Sequence, residues 1–545
     1  MHSRSIALII LFVGLLIQNG YSSQITDQIR IRLESDQPGE KIEIRGTSLK
    51  SIDEIQRFYV NRNFEEIWSK NGILTELAYE MRFEIYQSQF DGLNPKDYNI
   101  ELMELFFSTF ESNKKSRIVN NPGDVADLDL LLSDAFFYLS RHLELGKIDP
   151  ASLKSDWEIT SKTKKVDFGA LLTEGYKAGD IRRQLEKLYP DFAMYKKGRE
   201  VLRALDERRK VDTLNWKRIK IDKTIKLGEE SNSISVLRQR LKFWGYLNDY
   251  PLISEKLYDS TMWLGIKSFQ KNNGMESDGA IGRMTAQALN ASPSDLMDKA
   301  AVNLERLRWL PDTVKTGEFI LVNIANFQLD FLSNADTLLS ARVIVGKQYH
   351  ESPIFTAEMS YIVFSPYWNI PYSITKNEIM PSVRRNSNYL IQKNMEVVTS
   401  SGKVVDPKTI NWSAKSFPYM VRQKPGGSNS LGLVKFMFPN KHSVYIHDTP
   451  SRTLFEKEDR ALSHGCIRIE NPADFAALLL KNDPNWNSIK IDAAMHQSKE
   501  QIVKLDRNIP VVILYLTFWA DSMGNGHFRP DIYQRDEEVI MALRN

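Results

Sequence analysis

The chain has 545 residues, of which 42% are hydrophobic, so it is long enough to bury several hydrophobic cores. At about 150 residues per domain, this length predicts roughly three or four domains. Lysine and arginine together number 72 against 69 aspartates and glutamates, and neither sign forms a long run. This balance argues against nucleic-acid binding, which requires a concentrated basic surface.

The first 23 residues have the pattern of an export signal. Arg4 supplies positive charge, and an apolar stretch runs from Ile6 to Ile17. The small residues that offer a cleavage site are Gly20, Ser22 and Ser23. The apolar stretch is too short for a comfortable membrane span, although an uncleaved anchor is the alternative. We therefore predict an exported protein, and no lipid anchor, because no cysteine follows the stretch.

Cys466 is the single cysteine of the sequence, so an internal disulfide is excluded. A lone cysteine is commonly a small buried hydrophobic residue. In an oxidising compartment, however, an unused thiol is a liability. His464 and Gly465 precede Cys466, and a reactive thiol needs such a polar, reachable neighbourhood. We predict that Cys466 is a nucleophile.

Residues 24–230 are predicted to form a helical scaffold domain. Apolar side chains recur at spacings of three and four residues, most clearly from Leu128 to Leu145. Turn signals interrupt the pattern at Asp91 to Pro95 and at Gly146 to Pro150. Neither paired carboxylates nor metal-ligand spacing occurs here, so we predict a structural role.

Residues 231–291 are predicted to be a separate helical unit. One helix contains Leu237, a turn follows at Gly245, a second helix contains Phe269, and the run from Asp278 to Leu289 completes the unit. This arrangement resembles the three-helix peptidoglycan-binding module of many cell-wall enzymes. An ordinary helical hairpin with glycine turns is the alternative.

Residues 318–545, after a helical connector over residues 292–317, are predicted to form a mainly β domain. Short β-branched or aromatic runs, separated by turn residues, recur through it. The predicted strands are Phe319 to Ile324, Gln328 to Leu332, Ala341 to Val345, Tyr361 to Phe364, Lys435 to Phe438, Val444 to Ile446, Ile489 to Ile491 and Val511 to Leu516. From about residue 373 to 430 the pattern breaks, with a helix-like stretch at Thr375 to Arg384. Such an interruption predicts a lid or capping insertion.

His447 is the predicted base for Cys466. The run from Val444 to His447 is typical of a strand, whose alternation places Tyr445 and His447 on one face. Fifteen residues separate His447 from Ser463, and a loop of that length can return the imidazole to the thiol. The pair would act as nucleophile and base.

The residues around Cys466 suggest further roles. Gly465 permits a tight turn, and the backbone N–H groups of Gly465 and Cys466 are candidate oxyanion donors. Arg468 offers a bidentate fork for a substrate carboxylate, and a clamp on a backbone carbonyl is the alternative. Tyr445 and Trp368 are either core aromatics or platforms for substrate.

The run from Ser463 to Arg468, preceded by His447, resembles the signature of the L,D-transpeptidase family: a histidine, an intervening stretch, then Ser, His, Gly, Cys, an apolar residue and Arg. Three phrases resemble its large periplasmic subtype, namely Pro366 to Pro371, Gly432 to Asn440 and His447 to Ser451. The resemblance implies a multidomain α+β protein. It would comprise a helical scaffold, a three-helix peptidoglycan-binding module and a mainly β L,D-transpeptidase catalytic domain with a capping insertion.

The resemblance also implies an activity. Cys466 would attack the carbonyl of the third residue in a peptidoglycan tetrapeptide stem, release the terminal D-alanine and form a thioester, with His447 as base. An amine of a neighbouring stem would take the acyl group, which gives a 3→3 cross-link. The supporting residues, for the oxyanion or for substrate, would be Ser463, His464, Gly465, Arg468, Tyr445 and Trp368.

The expected location is the periplasm, associated with the cell wall, with roles in cell wall biogenesis, remodelling and cell shape. Peptidoglycan is the expected partner, and other cell-wall synthesis enzymes are further candidates. We expect a monomer that binds no nucleic acid and requires neither a cofactor nor a metal.

Several alternatives remain open from the sequence. Water, a protein lysine or a free D-amino acid could resolve the same thioester, which would give carboxypeptidase, anchoring or exchange activity. The chain could instead be a peptidoglycan-binding scaffold with a silent catalytic domain. A papain-like protease has the opposite order of cysteine and histidine, and a zinc site disagrees with the ligand spacing. The zinc ligands considered are His442, His447, His464 and Cys466.

Overall fold

The computed structural model of the protein describes residues 22–34, 41–116, 118–154, 157–158, 166–311, 317–333, 336–414 and 416–545. The predicted export signal lies outside the described residues as far as residue 21. Within the described ranges, no helix is both long enough and apolar enough to cross a membrane.

The N-terminal region is mainly helical, as predicted. Its helices are α1 (residues 22–33), α2 (Ile52–Val60), α3 (Glu76–Gln87), α4 (Ile100–Ser116), α5 (Pro122–Leu145), α6 (Phe168–Ala178), α7 (Arg182–Glu186) and α8 (Ala193–Lys210). Its short strands are β1 (Glu43–Ile44), β2 (Thr47–Ser48), β3 (Ser69–Lys70), β4 (Ile73–Leu74) and β5 (Trp157–Glu158). The first four strands form two hairpins, whereas β5 pairs with a strand of the C-terminal region.

The 24-residue helix α5 lies at the centre of this region. Asn121 begins it by accepting a hydrogen bond from the N–H of Gly123 at 2.8 Å, and Pro122 follows in the first turn. Helices α2, α3 and α4 all pack against α5. Apart from Leu145 at its end, most of its apolar side chains are buried on all sides, as expected for a core helix.

A separate three-helix unit follows, as predicted. It consists of α9 (Ile234–Phe243), α10 (Ser260–Asn272) and α11 (Arg283–Leu289). Their apolar faces share a core of their own. Gln270 fixes the loop after α10, because its side-chain amide accepts the N–H of Gly279 at 2.8 Å and donates to Asp278 at 3.0 Å.

The C-terminal region is mainly β. Its strands are β6 (Glu318–Asn323), β7 (Gln328–Ser333), β8 (Asp336–Gly346), β9 (Ile354–Phe364), β10 (Trp368–Asn369), β11 (Met395–Val398), β12 (Val404–Val405), β13 (Met420–Gln423), β14 (Val434–Met437), β15 (Ile446–His447), β16 (Ala461–Ser463), β17 (Ile467–Ile469), β18 (Gln501–Leu514), β19 (Phe518–Ala520) and β20 (Gly526–Phe528). The helices are α13 (Tyr372–Ile374), α14 (Met380–Arg385), α15 (Tyr389–Gln392), α16 (Pro472–Leu479), α17 (Ser488–Met495) and α18 (Asp536–Arg544). The predicted multidomain α+β architecture is confirmed.

The main sheet closes on itself. Its strand order is β14-β15-β17-β8-β7-β6-β18-β9-β5, and β14 also pairs with β9. This second pairing turns the sheet into a barrel whose interior is filled by fully buried side chains such as Val343, Ile446 and Ile467. The site strands β14, β15 and β17 are neighbours in this barrel.

The stretch that breaks the strand pattern, residues 373–430, folds largely apart from the barrel, and we call it the insertion. It contains helices α13 to α15 and most of a four-stranded sheet of order β10-β13-β11-β12. It has its own hydrophobic cluster, which includes Ile379, Leu390 and Val421. An independent core allows such a unit to hold its shape beside the barrel.

One predicted strand is wrong. Ile489 to Ile491 belongs to helix α17, which begins when the Asn487 side chain accepts the N–H of Lys490 at 2.9 Å. Ile491, Ala494 and Met495 are buried at helical spacing. A three-residue apolar run cannot distinguish strand from helix, whereas the Asn487 cap could have done so.

Helix α12 (Pro293–Arg308) joins the N-terminal region to the barrel through buried charges. Glu305 and Arg308 form an ion pair whose side chains are both 0% exposed. Arg308 also donates to the carbonyl of Asp91 at 2.7 Å and to the hydroxyl of Tyr195 at 2.8 Å. Glu305 accepts the N–H of Ile148 at 2.8 Å.

The same helix binds the barrel on its other side. Asn303 and Thr517 exchange two hydrogen bonds of 2.9 Å, one through the Thr517 N–H and one through its hydroxyl. Arg306 donates to Asp536 at 2.6 Å, and Thr517 donates to the same carboxylate at 2.7 Å. Because every partner is buried, these bonds fix the orientation of the two regions.

Arg308→Met is expected to destabilise the protein by about 3–5 kcal/mol, because it leaves the Glu305 carboxylate buried and uncompensated. The double variant Glu305→Gln/Arg308→Met should recover part of that loss. Thermal unfolding followed by circular dichroism measures both effects. The exposed Lys197→Met variant is the control, and an Arg308→Met midpoint equal to that of the control would contradict the assigned role.

Candidate active site

The pairing of β15 with β17 sets the geometry of the site. In this parallel pair Ile446 lies opposite Ile467, and His447 lies opposite Arg468. Ile446 and Ile467 are fully buried in the barrel core. Because side chains alternate along a strand, His447 and Arg468 lie on the opposite face, away from that core.

Cys466 and Tyr445 are adjacent on this same face. Tyr445 lies two residues before His447, and Cys466 lies two residues before Arg468. The Ile467 N–H donates to the Tyr445 carbonyl at 3.1 Å. Burial raises the pKa of the Cys466 thiol, while hydrogen bonding from the backbone and hydroxyl of Tyr445 and the charge of Arg468 oppose this effect. The Cys466 thiol is therefore partly exposed and protonated at neutral pH.

His447 is buried and has a defined tautomer. Its Nδ1 lies 2.6 Å from the carbonyl oxygen of Asp448. A carbonyl can only accept, so Nδ1 carries the proton and Nε2 keeps its lone pair. Burial, then the charge of Arg468, lower the pKa of His447 to about 3. The imidazole is thus neutral at physiological pH and can accept a proton.

His447 and Cys466 share no hydrogen bond among those of the described residues. The thiol contacts Tyr445, whose ring centre lies 5.6 Å from that of His447. Catalytic hydrogen bonds in a free site commonly form only when substrate binds. The neutral imidazole on β15 and the thiol immediately before β17 therefore lie on neighbouring segments, with Tyr445 beside both.

Asp448 secures the loop beside the base. Its carboxylate accepts the N–H of Leu433 at 2.8 Å and of Thr449 at 2.7 Å, and it pairs with Arg452 at 2.7 Å. Gly432 is required here, because its φ is +64° and an added Cβ would lie 2.3 Å from the Asp448 carboxyl group. The Asp448 carboxylate thus orients the loop, and the Asp448 carbonyl orients the His447 ring.

Two serines hold the turn that presents the sulfur. Ser463 donates to the Cys466 carbonyl at 2.6 Å and accepts the N–H of Gly465 at 3.0 Å. Gly465, at φ +113°, adopts a backbone conformation that other residues rarely take. The buried Ser352 donates to the Gly465 carbonyl at 2.8 Å. The Gly465 N–H, predicted as an oxyanion donor, is already engaged, which leaves the Cys466 N–H as the remaining candidate.

His464 lies at the boundary between this turn and the insertion. It is half-exposed, and its Nε2 lies 3.6 Å from the carboxylate of Glu378, in the π-helical turn Thr375–Ile379. Its ring centre lies 5.4 Å from that of His350. Trp368 lies elsewhere, on β10, where it packs against the hydrophobic cluster of the insertion.

Sequence reasoning missed three residues of this site: Ser352, Glu378 and Lys435. Lys435 lies opposite His447 in the antiparallel pair β14–β15. A lysine between the apolar residues Val434 and Phe436 was a usable signal, but strand register is not visible in the sequence. Ser352 contacts Gly465 and Glu378 faces His464, and both partners are distant in sequence, so no local sequence pattern marks either residue.

The histidines considered as zinc ligands are dispersed. His442 contacts Glu158 at 2.8 Å, and His464 faces Glu378. In the part of the chain that the structure describes, no group of three or more His, Cys, Asp or Glu side chains could hold a metal ion.

The electrostatics predict the pH dependence of thiol alkylation. With a raised Cys466 pKa and neutral His447, the thiolate fraction should increase steadily between about pH 5 and pH 8. Alkylation by iodoacetamide, followed by intact-mass spectrometry, should accelerate accordingly. Tyr445→Phe removes a hydrogen bond that lowers the thiol pKa, so its profile should shift to higher pH. A rate independent of pH across this range would indicate a thiolate–imidazolium pair and contradict the account.

Comparison with protein families gives three matches along the chain. Residues 53–202 match a scaffold domain, residues 230–289 match a "Putative peptidoglycan binding domain", and residues 317–491 match an L,D-transpeptidase catalytic domain. The last of these contains the whole arrangement around Cys466.

Three known proteins illustrate what the chain is similar to. A "Putative L,D-transpeptidase" of Haemophilus influenzae is 34% identical over 278 residues, which cover 50% of this chain and 56% of the relative. An L,D-transpeptidase structure from Stackebrandtia nassauensis is 14% identical, with a TM-score of 0.20 over 53% of this chain and 94% of that one. An L,D-transpeptidase structure from Xylanimonas cellulosilytica is 12% identical, with a TM-score of 0.16 over 54% and 100% of the two chains. By the family comparison, residues 317–491 are similar to an L,D-transpeptidase catalytic domain and residues 230–289 to a peptidoglycan-binding domain.

Proposed function

We propose that this protein is an exported, cysteine-dependent L,D-transpeptidase that forms 3→3 cross-links in peptidoglycan. The observation that supports this most strongly is the β15–β17 register, which places a buried neutral His447 and the only cysteine of the chain on one face of neighbouring strands. Nucleophile and base on adjacent strands suit acyl transfer through a thioester.

Acylation consumes the donor stem. The Cys466 sulfur attacks the carbonyl carbon of the third residue while His447 Nε2 takes the thiol proton. The bond from that carbonyl to the D-alanine nitrogen breaks, and the imidazolium returns the proton to the departing amine. The products are free D-alanine and a thioester on Cys466. The Cys466 N–H is the proposed donor to the oxyanion.

Deacylation delivers the acyl group to a second stem. The side-chain amine of its third residue attacks the thioester, and His447 takes the proton that this amine loses. An amide forms, the carbon–sulfur bond breaks, and the thiolate regains a proton. The low pKa of His447, about 3, keeps the imidazole neutral and ready for this step.

The remaining parts of the chain support this chemistry. The predicted N-terminal signal would export the protein to the periplasm, and the module at residues 230–289 would retain it on the cell wall. The insertion contacts the turn of Cys466 through Glu378 and His464, so we propose that it covers bound substrate. Ser463 and Gly465 shape the turn, and Arg468 faces the substrate.

Purified protein incubated with disaccharide tetrapeptides should yield dimers whose mass equals two donors minus one alanine. Mass spectrometry distinguishes this product from hydrolysis, exchange and attachment to a protein lysine, because each has a different mass. Cys466→Ser should abolish D-alanine release altogether. His447→Gln, which keeps a polar side chain but removes the base, should reduce it by about 10²–10⁴-fold.

Binding to isolated sacculi provides the control. Cys466→Ala should bind as the unmodified protein does, because the binding module is separate from the thiol. D-alanine release by Cys466→Ser would refute the thioester mechanism. If the unmodified protein bound sacculi but formed no cross-links, the alternative of a silent scaffold would be favoured.

A further inference from the structure

Three side chains form a row across the site face, and we call it the His447 row. Lys435 lies opposite His447 across the β14–β15 pair, and Arg468 lies opposite His447 across the β15–β17 pair. Neighbouring strands are about 4.8 Å apart, so a cationic side chain starts on each side of the base. The mechanism above uses His447, gives Lys435 no role, and does not say which substrate group Arg468 contacts.

Lys435 is held in this row without a counter-ion. Its neighbours Val434 and Phe436 are fully buried in the barrel, which fixes the backbone of β14. Within the described ranges, no carboxylate oxygen lies within 4.0 Å of its Nζ. Glu500 acts on it only at longer range and accepts the N–H of Tyr367 at 3.2 Å. Burial accordingly lowers the pKa of Lys435.

Arg468 is similarly incomplete. Its Nε is buried and has no hydrogen-bond partner among the described residues. No carboxylate in the described ranges lies within 4.0 Å of its guanidinium group. A buried donor without a partner is costly, so the Arg468 Nε, on the same face as a lysine without a nearby carboxylate, indicates a site that an anionic ligand completes.

The donor stem carries such an anion at the right place. His447 returns its proton to the D-alanine nitrogen, and the carboxylate of that D-alanine is attached to the same Cα as this nitrogen. When the nitrogen lies at His447 Nε2, the carboxylate is therefore within a few ångströms of the same imidazole, which brings it within reach of the side chains of the His447 row. A carboxylate is also a group that arginine and lysine bind by charge-assisted hydrogen bonds.

We propose that Lys435, together with Arg468, binds the terminal carboxylate of the donor stem and selects stems that end in a free D-alanine. This inference rests on the proposed function, because it assigns the recognition of its donor. The two cations would hold the leaving group while His447 protonates it. An amide at this position would lose the charge-assisted bonds and leave both cations unpaired.

Two donors that differ only at this group test the inference: a tetrapeptide stem ending in D-alanine and the same stem ending in D-alaninamide. The unmodified enzyme should favour the free acid by about 10- to 100-fold in kcat/KM. Lys435→Met should lose most of this preference, because its kcat/KM should fall for the free acid and stay unchanged for the amide. Lys435→Arg should retain much of it, since the charge is kept.

Lys504→Met, on the exposed part of β18, is the matched control and should leave both donors unaffected. Alkylation of Cys466 by iodoacetamide checks that each variant keeps a folded, accessible thiol. Equal losses on both donors would mean that Lys435 only tunes His447 or the fold, and this would overturn the inference. An unchanged preference would overturn it as well.

Failure of the proposed function would look different. If the enzyme released no D-alanine from either donor, calorimetry would measure binding of the two stems to Cys466→Ala and to Cys466→Ala/Lys435→Met. Tighter binding of the free acid that disappears without Lys435 supports the carboxylate site even then. Equal affinity of both stems for Cys466→Ala would refute it.

Discussion

The parallel pairing of β15 with β17 is the constraint on which the site depends. It makes Tyr445 the neighbour of Cys466 and His447 the neighbour of Arg468, and the buried Ile446 and Ile467 lock that register. A slip of β15 by one residue would turn Tyr445 and His447 into the barrel core. The chemistry therefore relies on apolar packing beneath it, because burial of two isoleucines determines which face carries the thiol.

The same packing sets the electrostatics. An imidazole beside two cations and removed from water is neutral, and burial keeps the nearby thiol protonated. Such a thiol is protected in an oxidising compartment, since thiolate is the reactive form. Further from the site, closure of the barrel by the β14–β9 pairing and the buried bonds of α12 keep these strands in place.

Much of this could be predicted from the sequence, and the exceptions have a common cause. Alternation along a strand predicted that Tyr445 and His447 share a face, and the change from helical to strand periodicity predicted the α+β architecture that the structure confirms. Lys435 was missed because its neighbour in the site, His447, lies on a different strand, and the pairing of strands cannot be read from the sequence. The occupied Gly465 N–H and the start of the helix at Ile491 each depend on one backbone N–H that donates to a side chain, Ser463 or Asn487, and short apolar patterns do not reveal such bonds.

The central claim is that the acyl group of a donor stem is carried by Cys466, and trapping this intermediate tests it most directly. The protein would be mixed with a tetrapeptide donor, without an acceptor, and quenched in acid, which preserves thioesters. Intact-mass and peptide mass spectrometry should find the donor, less its D-alanine, attached to the peptide that contains Cys466. Release of D-alanine with no adduct at any time point, or an adduct on another residue, would contradict the account.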